Sequence, residues 1–394
     1  MKTLGIYYAT ACYRDEQGRY YTSNGLGRYL QVLDERFPQV QVHLLAPTTR
    51  EPLAHLRFPL PERVQVYELP YFETFIGAVK VRQPLRRRLR EFVKERPADI
   101  VWLRYPGAYA PVLWRECTRR RIPCFFEIVG EPVMLLRRSP TRNPVSKWLS
   151  VMVASVHQWE LRRIVRVCPA FANSMAIAKP FAPIVKRIIH PSTLADEDFC
   201  LRKDTCVVEP LKVLFVGALR HEKSLDTLIE AVASLQAKGM CVHLHVVGDG
   251  ELRTDWEGLA NRMLQPDTYR FYGFQTDPRV LHAYYCQADV FVLPSVSEGL
   301  PRVVVEAMAR SVPVVATSVG GIPDIIRHGE TGLLVPPRDV RALAQAIERI
   351  IREPELRRRL IANGYALARQ HTTEVFLRRV FEFVREETGV DLLT

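Results

Sequence analysis

Short, nearly continuous apolar runs recur along this chain, separated by stretches in which apolar residues return every third or fourth position. The first pattern predicts strands buried on both faces and the second amphipathic helices. In the first half the runs place strands near Leu4 to Ala9, Val40 to Leu45, Ile100 to Leu103, Pro123 to Ile128 and Val167 to Ala172, with helices such as Leu26 to Phe37 and Arg86 to Lys94 between them. The second half repeats the rhythm more cleanly. Its strands fall at Val213 to Val216, Val242 to Val247, Tyr269 to Tyr272, Val290 to Leu293, Val312 to Ala316 and Leu333 to Val335, and a helix is expected over Leu225 to Gln236. Strand–helix alternation from end to end indicates parallel sheets covered on both faces, in two doubly wound α/β units.

Between the halves, periodicity lapses over residues 190–212, where Pro191, Asp196, Glu197, Asp198, Lys203, Asp204 and Pro210 gather; this is the linker expected from sequence. After His371, Phe376, Leu377, Val380, Phe381 and Val384 form an apolar face at helical spacing that must pack somewhere.

Composition narrows the class. The chain has 394 residues, 47% hydrophobic and 25% charged, which excludes disordered, collagenous and coiled-coil readings. The longest apolar candidate for a membrane span, Trp148 to Trp159, is broken by Ser150, Ser155 and His157. The apolar stretch before Ala9-Thr10-Ala11-Cys12 is too short for a secretory signal and reads as a first strand. The eight cysteines contain no CxxC pair, so reduced thiols and a cytoplasmic location are expected. A net charge of +12 favours anionic ligands or surfaces, but its basic residues, 45 Arg and 10 Lys, are spread along the whole chain.

In doubly wound sheets ligands bind beyond the carboxyl ends of the strands. After Val216-Gly217 the chain reads Ala218-Leu219-Arg220-His221-Glu222-Lys223-Ser224 and opens a helix. Two cations beside unpaired helix-start N–H groups suit a phosphate, and a solvated basic loop is the alternative. After the strand Val290 to Leu293 comes Ser295-Val296-Ser297-Glu298-Gly299-Leu300-Pro301-Arg302. Gly299 permits close backbone approach, and Pro301 suits the start of the next helix. Glu306 lies inside that helix among Val303, Val304, Val305 and Met308, where a carboxylate needs partners; a ribose diol would supply them. Glu298 stands on the loop, able to face the reacting end of a ligand. Two acceptors of hydroxyl protons flanking a cationic middle describe a sugar nucleotide.

Glu298-x7-Glu306 within Ser295 to Ala309, together with Val216 to Lys223, Gly248-Asp249-Gly250, Tyr272-Gly273-Phe274 and Gly320-Gly321-Ile322-Pro323-Asp324 through Gly332-Leu333-Leu334-Val335-Pro336, resembles the family 4 retaining glycosyltransferases (glycosyl transferases group 1) over roughly residues 212–371. Asn24-Gly25-Leu26-Gly27-Arg28 looks like the family's glycine-rich loop before the first helix. The resemblance implies a GT-B fold, in which two facing Rossmann-like domains, an acceptor-side domain over 1–190 and a donor domain over 212–371, are joined by a linker at 191–211. A C-terminal helix, 372–394, would cross back to the first. It further implies that Lys223 and Arg220 hold a diphosphate, Glu306 the ribose and Glu298 the donor sugar. The backbone at Gly273-Phe274 would hold the base, with Gly25, Gly27, Gly217, Gly299, Leu300 and Pro301 lining the donor site. Many relatives carry His where Val129 stands, so Glu127 and Glu131 become the acceptor-side candidates.

The activity expected is retaining transfer from a nucleoside diphosphate sugar to a hydroxyl on a glycan, lipid-linked or small-molecule acceptor. No resident cofactor or metal is expected, because fixed cations stabilise the leaving diphosphate. Rival readings are a glycoside hydrolase, a nucleotide-sugar epimerase and a nucleotide-sugar sensor without turnover. Nucleic acid is not an expected partner. The segment Lys80 to Arg90, with Lys80, Arg82, Arg86, Arg87, Arg88 and Arg90 beside Val79, Val81, Leu85 and Leu89, is compatible with docking on the cytoplasmic face of a membrane, the alternative being an exposed Arg-rich helix.

Overall fold

The computed structural model describes the chain except residues 54, 73–80, 97, 108, 131, 134–143 and 276, with the backbone alone at 144–147 and 149. Two compact units emerge: one formed by Met1–Thr193 together with Thr373–Thr394, the other by Leu194–Thr372.

The second unit is a parallel sheet of six strands: β11 (Leu211–Val216), β12 (Val242–Val247), β13 (Tyr269–Phe271), β14 (Val290–Leu293), β15 (Val314–Thr317) and β16 (Leu333–Val335), in the order β13-β12-β11-β14-β15-β16. The central strands are apolar because both faces are covered: every residue of β14 and β15 is buried. Starting from β11, the chain winds first one way through the sheet and then, from β14, the other. That reversal creates a topological switch point between β11 and β14, the place in such sheets where ligands bind beyond the strand ends.

In the first unit, β6 (Gln65–Leu69), β4 (Val40–Thr49), β1 (Lys2–Tyr7), β7 (Ile100–Tyr105), β8 (Cys124–Ile128), β9 (Ala170–Ala172) and β10 (Arg187–Ile188) run parallel in that spatial order. Beyond β4, short strands at Cys12–Arg14, Tyr20–Thr22 and Phe58–Pro59 extend the sheet with antiparallel pairs. The helix Thr373–Thr388 completes this unit's core. The Phe376 ring packs 5.3 Å from Tyr29, and Phe381 and Phe383 meet Phe37 and Phe171 edge to face at 5.1 and 5.5 Å. Phe376, Leu377, Val380, Phe381, Phe383 and Val384 are all buried, each contributing about 1.5–3 kcal/mol.

Two sequence expectations change here. The stretch read as a linker, 191–211, groups with the second unit from Leu194 onward. Asp198 pairs with buried Arg310 at 2.6 Å, Asp204 with buried Arg357 at 2.6 Å, and the Cys206 amide donates to Asp289 at 2.7 Å. Its charges neutralise arginines that periodicity alone places inside, so the segment is fastened rather than solvated. The helix Arg82–Glu95 turns Leu85, Leu89, Phe92 and Val93 into the first unit's core. Its cations find partners within the unit: Arg87 and Arg88 meet Glu91 at 2.9 and 3.1 Å, Arg90 meets Glu116 at 3.1 Å, and Arg88 lies over the Tyr67 ring. An Arg-rich helix that already buries its apolar side offers no hydrophobic face for a bilayer. Lys80 lies outside the described residues.

Candidate active site

The loops that leave β11 and β14 are bonded to each other, with the Val296 amide donating to the Glu222 carbonyl at 2.8 Å. After β11, a tight turn over His221–Lys223 ends at Ser224, whose left-handed backbone (φ 47°) redirects the chain into the helix Leu225–Ala237. Lys223 is thereby aimed across the switch point. Its Nζ meets Glu298 Oε1 at 2.5 Å, with the two side chains 18% and 10% exposed. Ser295 Oγ donates to the same oxygen at 2.6 Å, and the Ser295 carbonyl accepts from Thr317 Oγ1 at 2.5 Å. A lysine, a carboxylate and a hydroxyl from three strand ends therefore form one network.

Two further loops brace it. Gly320 sits at φ 56°, and a Cβ there would fall 1.8 Å from the Glu298 carbonyl oxygen; the next amide, Gly321, donates to the Gly299 carbonyl at 2.8 Å. Gly248, at φ 137°, lies so close to the other loop that a Cβ would fall 1.9 Å from the Gly217 carbonyl oxygen. The Leu219 amide donates to the Asp249 carbonyl at 2.9 Å, and Gly248 donates to Gly273 at 2.9 Å. The turns after β11, β12, β14 and β15 thus hold one another by backbone contacts along a single edge of the sheet.

Pro301 is buried and starts the helix Arg302–Ala309, which buries Val304, Val305, Ala307, Met308 and Ala309. Glu306 is half-buried on this helix, and its Oε2 accepts from Tyr285 Oη at 3.1 Å. Tyr285 is itself buried; burial foremost, and then the Glu306 charge, pushes its phenol well above the usual range. It therefore remains a donor to the carboxylate at any working pH. Arg310 lies over the Tyr285 ring at 5.1 Å, donates to the Glu306 carbonyl and closes on Asp198. This support chain runs from the fastened segment to the Glu306 carboxylate.

Of the residues singled out by sequence, Gly217, Lys223, Glu298, Gly299, Leu300, Pro301 and Glu306 lie on the β11 and β14 loops or the helix that follows β14. Arg220 and Phe274 are exposed on the turns after β11 and β13. Gly25, Gly27 and Glu127 belong to the first unit. The helix there begins at Asn24, so the two glycines occupy its first turn and not a preceding loop; a Cβ on Gly27 would fall 2.2 Å from the Phe58 ring, a packing reason for that glycine.

Glu127 is 0% exposed. Trp102 Nε1 and Asn173 Nδ2 donate to its two oxygens at 3.1 and 3.2 Å, and Arg104 stands 3.7 Å away. Burial pushes its carboxyl up, against the pull of Arg104 and the two donors. Enclosed in this way, it has no surface to present to an acceptor hydroxyl. Glu131 lies outside the described residues. His245 is packed rather than available as a ligand: Tyr272 Oη bonds its Nδ1 at 2.7 Å, and burial, followed by the nearby cation Lys212, lowers its pKa to about 4.

Sequence reasoning assigned no role to Ser295, Thr317 and Tyr285. Ser295 had a signal in its place three residues before Glu298 on the same loop. Tyr285 had none, because it approaches Glu306 from a different helix, Pro278–Gln287.

Residues 201–367 match the family described as glycosyl transferases group 1. The chain is 35% identical over 155 residues to an alpha-D-kanosaminyltransferase of Streptomyces kanamyceticus, a match spanning 39% of this chain and 40% of that relative. A 2-deoxystreptamine glucosyltransferase of the same organism is 27% identical over 347 residues, 84% of this chain and 86% of the relative. The structure of Anabaena HepE in complex with UDP-glucose superimposes with a TM-score of 0.68 at 17% identity, covering 98% of this chain and all of that one, a likeness that establishes the GT-B fold.

Proposed function

We propose that this protein transfers a glycosyl group from a nucleoside diphosphate sugar to an alcohol acceptor with retention of anomeric configuration. The observation that carries the reading is the contact of Lys223 with Glu298 at the switch point, one helix away from the Tyr285-supported Glu306. Glu306 accepts from the ribose hydroxyls, Glu298 from a hydroxyl of the donor sugar, and Lys223 and Arg220 meet the diphosphate between them. As the bond from the anomeric carbon to the phosphate oxygen breaks, negative charge grows on the diphosphate and positive charge on the sugar. Fixed cations and helix-start N–H groups, already in position, stabilise the first without reorganisation. The acceptor oxygen attacks from the face the diphosphate is leaving, and its proton passes to the departing phosphate oxygen. The new glycosidic bond then has the configuration of the one broken.

The glucosyltransferase relative and the neighbour solved with UDP-glucose support uridine diphosphate glucose as the first donor to test. The deciding experiment is calorimetric binding of uridine, guanosine, adenosine and cytidine diphosphates. It is followed by turnover of the matching donors, with and without a chelator, and proton NMR of the product's anomeric coupling. Saturable binding of one nucleoside diphosphate and a product of unchanged anomeric configuration are expected. Cleavage of a simple aryl glycoside without nucleotide, or donor conversion without an acceptor, would replace this reading with a hydrolase or an epimerase.

A further inference from the structure

The helix Pro144–Ile164 of the first unit is apolar on two sides, and only one of them is covered by the protein. Leu161 and Ile164 join the unit's core, and Ala154 is buried on the same side. Trp148, Met152, Val156 and Trp159 lie on the other side, within about 80° of one another at the angular step of an α-helix. They are 64%, 43%, 58% and 59% exposed. A second apolar stripe on a helix whose first is already buried is ordinarily covered as well, by protein or by lipid. The uncovered stripe runs directly into cations: Arg163 lies 4.8 Å over the Trp159 ring, and Arg162, Arg163 and Arg166 are all exposed. The acidic Glu160 of the same helix is drawn aside into an ion pair with Arg115.

We propose that this face docks the protein onto an anionic lipid bilayer, with the helix lying in the plane of the interface. Indole rings favour the headgroup level, and two of them eleven residues apart are separated by about 16 Å along the helix, which holds it flat. Met152 and Val156, between them, enter the acyl boundary. The arginine cluster at one end meets lipid phosphates, and the carboxylate that would oppose this contact is already neutralised. No helix among the described residues is long and apolar enough to cross a membrane, so the contact is peripheral.

Flotation of the full chain with vesicles of phosphatidylglycerol and phosphatidylcholine, against phosphatidylcholine alone, tests this. The protein is expected to float with the anionic vesicles, less so as salt rises, with a blue shift of tryptophan emission. Trp148→Ser combined with Trp159→Ser should weaken partitioning by at least roughly ten-fold. Reversing Arg163 and Arg166 to Glu should weaken it on the order of a hundred-fold. Melting curves should be unchanged in both variants, because every altered side chain is exposed. Absence of flotation, or flotation insensitive to the tryptophan changes, would overturn the proposal. So would a concentration-dependent dimer that the same tryptophan changes abolish, which would assign the face to a second copy of the chain.

Discussion

Lys223 and Glu298 tie two loops together, so removing either side chain leaves the other as a charge with 18% or less of its surface in solvent. Lys223→Ala should lower kcat/KM by roughly 10- to 150-fold, the loss of a charge-assisted contact worth about 1.5–3 kcal/mol. Near-normal steady-state kinetics would sink its assignment to the diphosphate. Tyr285→Phe removes one hydrogen bond to Glu306 while keeping the ring that packs 5.8 Å from Phe291. Calorimetry should show nucleoside diphosphate affinity reduced about 5- to 30-fold, equivalent to about 1–2 kcal/mol, with the fold intact. Glu298 and Glu306 were legible in sequence because both sit in one segment between a strand and the helix it feeds. Tyr285 was not: apolar periodicity marks it only as an inward-facing position, and the contact that gives it a role joins two helices.

The four turns at the edge of the second sheet depend on backbone approaches too close for any side chain. Gly320→Ala should displace the Glu298 loop, costing about 1–3 kcal/mol from the left-handed backbone and more from the clash with the Glu298 carbonyl. Activity should fall further than the melting temperature, because the displaced segment carries Glu298, the carboxylate proposed to hold the donor sugar; equal activity at equal stability would refute that. The parallel strands of the second unit were readable within a residue or two, because burial on both faces demands an unbroken apolar run. The short strands Cys12–Arg14 and Tyr20–Thr22, and the strand Gln65–Leu69, which pairs only with β4, were not. An edge strand keeps polar residues such as Gln65 and Glu68, and a three-residue strand is too short to show a period.

Across the whole molecule, the linker read at 191–211 from its lapsed periodicity joins the second unit from Leu194 onward, where Asp198 and Asp204 serve the buried Arg310 and Arg357. Burial works against the Asp204 carboxylate, but hydrogen bonds from Arg357, the Thr205 amide and Arg358 outweigh it and hold the pKa below the usual value. A depressed folded-state pKa stabilises above the unfolded value and loses that contribution as pH falls through the folded one. Asp204→Asn should therefore destabilise the second unit by about 3 kcal/mol at neutral pH, because Arg357 is left buried without its counter-charge. The gap between variant and parent should close in acid, as urea melts at falling pH would reveal; a constant gap would show that the carboxylate's charge is not what matters.

The helix Thr373–Thr388 carries a consequence for how the protein is made. The unit whose residues are translated first lacks seven of its apolar core side chains until residues 376–392 are synthesised, whereas the unit translated second is uninterrupted between Leu194 and Thr372. Maturation on the ribosome should then run against the order of the message, the second unit closing while the earlier half waits. Pulse-labelled nascent chains probed with protease should acquire resistance in that inverted sequence. A polypeptide halted after residue 372 should leave the opening half digestible and the later half intact.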